Sequence, residues 1–194
     1  MKDAIKVLFV NGCIRKNSRT FSLCEKYISY LKNHGNYIVK ECKLSEMNLQ
    51  PLCENTLNER DRDIKTNDFS KEEYNLAKDF KEADMIIIGA PYWDCSYPAI
   101  LKLYFEHICV SKITFDYGED GRPIKKCNAN KLVYITTSGG FIRENSGVQI
   151  MIEEMGAFFK IEEVKFYSAQ GLDIYPDKVE EIINKTYKDI TKDI

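Results

Sequence analysis

The chain of 194 residues has the length of one domain, since domains typically hold about 100–200 residues, and its 44% of hydrophobic residues suffices for a sizeable core. A net charge of −2 argues against nucleic acid as a partner, because nucleic-acid binding needs a basic surface. The longest apolar run, 85–90, is far shorter than the ~20 residues of a membrane span. With no signal peptide before the first predicted strand, we expect a cytoplasmic protein without membrane contact.

The cysteine pattern argues against a metal site. The chain contains seven cysteines but no C-x-x-C pair, and only two histidines could join them. Zinc and iron–sulfur sites need closely spaced ligands, so we predict no metal. Free thiols in a reducing compartment fit this pattern best. The cysteines are Cys13, Cys24, Cys42, Cys53, Cys95, Cys109 and Cys127.

The first predicted strand, 6–10, leads through a polar loop into a helix. Its unbroken apolar run is typical of a strand buried on both faces. Ser18 is a good N-cap for the helix that follows. The free amides of a helix start, with Arg15 and Arg19 nearby, favour an anion such as phosphate. An ordinary βα turn would show the same pattern, and spacing alone does not separate the two interpretations.

The next part of the chain alternates between clear and weak signals. Gly35 is the predicted C′ residue of the first helix. A second strand, 37–44, has an alternating pattern that indicates a sheet edge. The polar segment 45–69 is predicted to be a covering loop with at most a short helical piece. Ser70 and Glu73 form a capping-box pattern at the start of a helix that runs to residue 83.

The second half of the chain continues the alternation of strands and helices. We predict strands at 85–90, 132–136 and 164–168, helices at 99–110, at 148–159 and from 176 onward, and a hairpin with an Asp-Gly turn between 114 and 126.

Five strands that alternate with helices predict an α/β fold with a parallel sheet and helices on both of its faces. We expect a doubly wound five-stranded sheet in the order 2-1-3-4-5. It would form a single domain, 1–194, with a hairpin excursion at about 113–130. In such sheets the ligand lies beyond the carboxyl ends of the strands, at the switch point between strands 1 and 3.

Three loops leave those carboxyl ends, and each has its own chemistry. The loop 11–20 offers hydroxyls and helix-start amides to a phosphate. The loop 91–98 carries three aromatic residues, and the two glycines in 137–142 let the backbone approach a flat ligand. One ligand with a phosphate at one end and a planar heterocycle at the other would use all three loops, and FMN has that shape.

The motifs in these loops resemble those of the flavodoxin-like NAD(P)H-dependent FMN oxidoreductases, a group of quinone reductases, azoreductases and FMN reductases. NGCIRKNSRT is similar to the family's phosphate loop N-G-S-P-R-x-x-S-x-T, with Cys13 and Ile14 in place of its Ser and Pro. GAPYWDCSYPAILKLYFEH is similar to the flavin loop P-x-Y-x-F-x-x-P-x-x-L-K and the helix after it. TFDYGEDG followed by KLVYITTSGG resembles the azoreductase pattern T-F-x-Y, a strand and S-R-G-G, with Ser138 in place of arginine.

The resemblance implies FMN as cofactor, NADH or NADPH as hydride donor and a quinone, azo or nitro compound or free flavin as small-molecule acceptor. It also implies a homodimer with the flavin at the subunit interface. Because the chemistry belongs to the flavin, no side chain is assigned as catalytic. The implied cofactor-binding residues are Cys13, Arg15, Ser18, Arg19 and Thr20 in the first loop, Pro91, Tyr92, Trp93, Asp94 and Cys95 in the second, and Thr137, Ser138, Gly139 and Gly140 in the third.

Several alternatives stay open beside this prediction. Cys95 is either a redox thiol or, as we expect, a small filler in a tight loop, and Trp93 either stacks on a ring or packs in the core. A flavodoxin-like FMN electron carrier for protein partners is the alternative function, although such carriers tend to be strongly acidic. An iron–sulfur flavoprotein is excluded because only Cys53 lies where a cysteine cluster is needed. A non-enzymatic regulator on the same fold also stays open.

Overall fold

A computed structural model describes residues 4–193. Its strands are β1 Ile5–Asn11, β2 Tyr37–Lys43, β3 Met85–Gly89, β4 Phe115–Tyr117, β5 Pro123–Lys125, β6 Lys131–Thr137 and β7 Glu163–Ala169. Its α-helices are α1 Arg19–His34, α2 Glu54–Thr66, α3 Asn75–Glu82, α4 Ala99–Ile108, α5 Gly147–Phe158 and α6 Val179–Lys192. Within the described residues, no helix combines the length and the apolar composition of a membrane span.

The main sheet has five parallel strands in the order β2-β1-β3-β6-β7. Because β6 and β7 are the fourth and fifth strands of this sheet along the chain, the predicted order 2-1-3-4-5 is confirmed. The chain crosses from one side of β1 to the other between β2 and β3, which creates the switch point. The carboxyl ends of β1 and β3 meet there, with Asn11 in register with Gly89.

Helices cover both faces of the sheet, as predicted. Side chains of β1 alternate between the two faces, as a strand requires. Leu8 and Val10 are buried against α3, α4 and α5, whereas Val7 and Phe9 are buried against α1 and α6. The central strand β3 is buried along its whole length. A run of apolar residues without polar alternation is what such a doubly covered strand needs.

Helix α1 begins as predicted, and the geometry of its end differs from the prediction. The Ser18 hydroxyl accepts a hydrogen bond from the Phe21 amide at 3.2 Å, which confirms the N-cap. The predicted stop is observed, since α1 ends at His34, but Gly35 is the C-cap and not the C′ residue, and its backbone is extended, with φ at −170°. The chain passes directly into β2 there, and a Cβ atom on Gly35 would lie 2.5 Å from Cε2 of Tyr37. Gly35 is therefore a position of close packing.

The segment 45–69 contains more helix than the sequence predicted. It holds the 13-residue helix α2, although no residue of α2 is fully buried. Polar contacts attach α2 to the rest of the fold. Arg60 Nη1 donates to the Glu106 carbonyl at 3.1 Å, and the Tyr74 hydroxyl donates to Asp63 at 2.8 Å. A helix held by such contacts lacks the apolar stripe from which a sequence pattern identifies a helix.

The predicted capping box at Ser70 is wrong. The Ser70 hydroxyl and amide both donate to Asp68, at 2.7 and 3.0 Å. A short 3₁₀ turn, Glu72–Tyr74, follows, and α3 begins only at Asn75. The Asp68 carboxylate accepts both hydrogen bonds because an aspartate side chain readily binds the backbone two residues ahead of it.

The hairpin β4–β5 lies within the predicted excursion. Its two strands pair antiparallel, with Phe115 opposite Lys125. Gly121 has a φ of +74° in the connecting turn, a conformation that suits glycine. The hairpin forms a two-stranded sheet that is separate from the main sheet.

Candidate active site

A cavity of about 690 Å³ lies at the carboxyl edge of the sheet, beside the switch point. Small-molecule sites typically measure about 300–1,000 Å³, so this one has room for a ligand of the size of FMN. The cavity is lined by parts of four loops: Ile14, Arg15, Asn17, Ser18, Arg19 and Thr20 after β1, Pro91, Tyr92, Trp93 and Asp94 after β3, Thr137, Ser138 and Gly139 at the end of β6, and Leu172 and Asp173 after β7.

Most residues that the sequence assigned to the cofactor lie in this lining. Three do not: Cys13, Cys95 and Gly140. Cys13 is buried, with its Sγ 3.6 Å from the Gly89 carbonyl, and burial raises the pKa of its thiol to about 11. Gly140 is exposed, and its carbonyl accepts from the Ser138 hydroxyl at 2.6 Å. The cofactor contacts of all the assigned residues, inside or outside the lining, stay predictions.

The start of α1 is part of the cavity lining. The first four amides of a helix have no partner within the helix. Ser18 satisfies the amide of Phe21, while no acceptor from the described chain meets the amides of Arg19 and Thr20. These free donors, at the positive end of the helix, suit an anion.

A buried hydrogen bond ties the first loop to the third. The hydroxyls of Thr20 and Thr137 lie 2.7 Å apart, and both side chains are buried. The second loop is joined to the same strand end, because the Tyr92 amide donates to the Thr137 carbonyl at 3.0 Å. Thr137 therefore holds the three predicted loops in one arrangement.

The two arginines of the first loop have different partners. Arg19 Nη1 lies 2.8 Å from Asp173 Oδ1 in an ion pair. The guanidinium of Arg15 lies over the Trp93 ring, 5.5 Å from its centroid, which is a cation–π contact. Trp93 is half-buried and faces the cavity. Of the two positions that the sequence left open for this ring, stacking on a ligand ring or packing in the core, the structure therefore excludes the core.

The loop after β3 ends in a tight turn. Trp93 and Ser96 exchange two backbone hydrogen bonds of 2.7 Å, and the two residues between them, Asp94 and Cys95, have φ angles of 49° and 63°. Cys95 is exposed at the tip, so the expectation that it fills space in a tight loop is wrong. Burial, and then the nearby Cys95 thiol, raises the pKa of the Tyr92 hydroxyl.

Replacing Cys95 by glycine is expected to give a more stable protein than replacing it by alanine, by about 1 kcal/mol in the free energy of unfolding. Both variants remove the thiol, but only glycine adopts a positive φ without steric cost. Urea denaturation of the two variants measures the difference. Equal urea midpoints for the two variants would show that the turn accommodates alanine at this position without a steric cost.

The loop after β7 also lines the cavity, through Leu172 and Asp173, and the sequence did not predict this. The amides of Leu172 and Asp173 each donate to a backbone carbonyl of the third loop, those of Ser138 and Gly139, at 3.1 Å. Asp173 packs so closely on Gly139 that a Cβ atom there would lie 2.2 Å from its Oδ2. The predicted strand 164–168 could have indicated this loop, because the loop that follows a fifth parallel strand lies at the same edge of the sheet.

Comparison with known proteins agrees with this architecture. The model of a protein family described as having a flavodoxin-like fold matches residues 5–194. An FMN-dependent NADH:quinone oxidoreductase of Coprothermobacter proteolyticus is 33% identical over 195 residues, which cover 95% of each chain. FMN-dependent NADH:quinone oxidoreductase 2 of Clostridium perfringens strain 13 is 32% identical over 194 residues, covering 93% of this chain and 95% of the other.

A solved structure has the same architecture over almost the whole chain. The crystal structure of an azoreductase from Bacillus anthracis is 25% identical, covers 97% of both chains and has a TM-score of 0.84. The likeness therefore includes the sheet, the helices on both faces and the loops at the carboxyl edge. The chain belongs to the family with the flavodoxin-like fold, as a relative of the FMN-dependent NADH:quinone oxidoreductases.

Proposed function

We propose that this protein is an FMN-dependent oxidoreductase that passes hydride from NADH or NADPH to a quinone or an azo compound. A nitro compound or free flavin is a further acceptor that this chemistry allows. One observation carries the proposal: a single cavity at the switch point of this fold is lined by both free helix-start amides and aromatic side chains. The relatives' names support FMN as cofactor and NADH as donor.

The residues of the cavity fit FMN by their chemistry. The amides of Arg19 and Thr20 and the guanidinium of Arg19 are donors for its phosphate. Tyr92 and Trp93 offer apolar faces to the flavin ring. Bound FMN supplies the hydride acceptor and donor of the reaction. The protein itself binds the phosphate, orients the ring and leaves the cavity open for donor and acceptor in turn.

The visible spectrum of the purified protein tests this proposal. We expect flavin absorption that is bleached by NADH or NADPH and that returns when a quinone is added. A protein that stays colourless and does not bind added FMN would contradict the proposal. A flavin that neither nucleotide bleaches, but a protein reductase does, would favour the electron carrier.

We further propose that the protein forms a homodimer. Three large apolar side chains lie exposed next to the cavity, Phe141, Ile174 and Tyr175, and the rings of Phe141 and Tyr175 are 6.3 Å apart. An exposed apolar patch of this kind is typical of an interface, and a two-fold axis would pair it with itself. Sedimentation equilibrium of the holoprotein and of the Phe141→Asp variant tests this, with a shift to monomer expected for the variant.

The proposed location is the cytoplasm. NADH is available there, and exposed free thiols such as those of Cys53 and Cys95 persist in a reducing compartment. Cell fractionation followed by immunoblotting tests this location, and recovery of the protein outside the cytoplasm would contradict it.

A further inference from the structure

The acid Asp173 lies beside the arginine that faces the proposed phosphate position. Asp173 Oδ1 is 2.8 Å from Arg19 Nη1, and both residues line the cavity. A carboxylate is thus already bound to the one guanidinium that stands at the start of α1. The other arginine of the lining, Arg15, is engaged with Trp93.

The backbone holds Asp173 in this place. The amide of Asp173 donates to the Gly139 carbonyl at 3.1 Å. The preceding residues, Gly171 and Leu172, donate to Gly140 and Ser138 at 2.9 and 3.1 Å. Three hydrogen bonds to the neighbouring loop leave the carboxylate only the rotation of its own side chain. The backbone of Asp173 is therefore held next to Arg19, and its carboxylate reaches that guanidinium by rotation of the side chain alone.

The charges of the cavity explain what this acid does. The lining contains two arginines, Arg15 and Arg19, and two aspartates, Asp94 and Asp173, so its side-chain charge sums to zero. The two aspartates therefore offset part of the attraction that the two arginines exert on a phosphate dianion. Neutralising Asp173 would leave a net positive lining with a free guanidinium.

The ion pair is also weak enough to be exchanged. The side chains of Arg19 and Asp173 are 46% and 73% exposed. Exposed ion pairs contribute little to stability, because water screens them and both side chains lose freedom. An incoming phosphate can therefore displace the carboxylate from Arg19 without disturbing the fold.

We infer that Asp173 competes with the phosphate group of the ligand for Arg19 and so lowers the affinity of this end of the cavity for phosphate. Asp173 is thus a residue that sets how readily a phosphorylated flavin is released and exchanged. The inference rests on the proposed function where it concerns FMN, but the competition itself concerns any phosphate.

The test uses Asp173→Asn and, as matched control, Asp177→Asn. Asp177 is exposed, lies in the 3₁₀ turn Pro176–Lys178 and does not line the cavity, so its variant changes the net charge equally. The dissociation constant of FMN is measured by quenching of its fluorescence on addition of apoprotein. Half-maximal stabilisation of the apoprotein by inorganic phosphate is measured by thermal unfolding at constant ionic strength.

We expect Asp173→Asn to bind both FMN and inorganic phosphate roughly tenfold more tightly, since the guanidinium of Arg19 is then released from its carboxylate partner and can bind the anion. Asp177→Asn should match the parent protein. In an Arg19→Gln background, most of the gain from Asp173→Asn should disappear, because the residue acts through Arg19.

Unchanged or weaker phosphate binding by Asp173→Asn would overturn the inference, as would an equal gain in Asp177→Asn or a full gain in the Arg19→Gln background. If FMN fails to bind to the parent protein, the proposed function fails. The experiment with inorganic phosphate still decides whether Asp173 competes for Arg19.

Discussion

Replacing Ser18 by aspartate is expected to weaken FMN binding roughly 100-fold, about 2.7 kcal/mol, relative to replacing it by asparagine. Ser18 caps α1 and lines the cavity at the free amides of Arg19 and Thr20. Aspartate and asparagine have the same shape, and both are good N-caps. Only the aspartate places a negative charge where the phosphate of FMN would bind.

Stability and binding should respond in opposite directions to this substitution. A carboxylate at a helix N-terminus is favourable by about 0.3–1 kcal/mol, so the Ser18→Asp apoprotein should unfold at the same temperature as Ser18→Asn or higher. Fluorescence quenching of FMN and thermal unfolding of the two apoproteins measure the two effects. Equal FMN affinity in both variants would show that the phosphate binds elsewhere, and a destabilised Ser18→Asp protein would contradict the helix-start argument.

Replacing Gly89 by alanine is expected to destabilise the fold by about 2–3 kcal/mol, because the site is already filled. Gly89 ends β3, and a Cβ atom on it would lie 2.5 Å from Cys24 Sγ and 3.2 Å from Cε2 of Phe9. Cys24 and Phe9 are buried between α1 and the sheet. The new methyl group would have to push α1 away from β3.

A second substitution distinguishes this explanation from a general effect of alanine. In a Cys24→Ala background the sulfur atom is absent, so Gly89→Ala should cost less there, with a coupling energy of about 1–2 kcal/mol. Gly147→Ala is the control, since nothing lies within 4 Å of a Cβ atom at Gly147. Its free energy of unfolding in urea should stay within about 0.5 kcal/mol of the parent. Additive effects of Cys24→Ala and Gly89→Ala would contradict the packing argument.

The order and faces of the main sheet could be predicted because the signals are local. A short apolar run such as 85–89 is typical of a strand buried on both sides, and the observed β3 is buried along its whole length. Once five such units alternate with helices, chirality and connection rules leave few topologies. The bounds of the five main-sheet strands and of α4 and α5 lie within about two residues of the predictions, whereas α3 begins at Asn75 and α6 at Val179, each later than predicted.

Elements that are held by polar contacts could not be predicted in the same way. Helix α2 has no buried residue, and its attachment through Asp63 and Arg60 joins positions that are distant in sequence. Helix α3 begins later than predicted because the amide and the hydroxyl of Ser70 donate hydrogen bonds to Asp68 and do not cap a helix. A pattern of residue types does not show which of several possible hydrogen bonds a side chain will make.

The sequence by itself determined the fold and the three loops that meet at its ligand-binding edge, because hydrophobic periodicity marks each strand and helix locally and connection rules then restrict how these units assemble. Only the tertiary structure decided which side chains of those loops face one another. The pairing of Arg19 with Asp173, the position of Arg15 over Trp93 and the outward position of Cys95 all depend on how loops distant in sequence approach one another. Such contacts follow from the packing of the whole sheet and its helices, which no single segment contains.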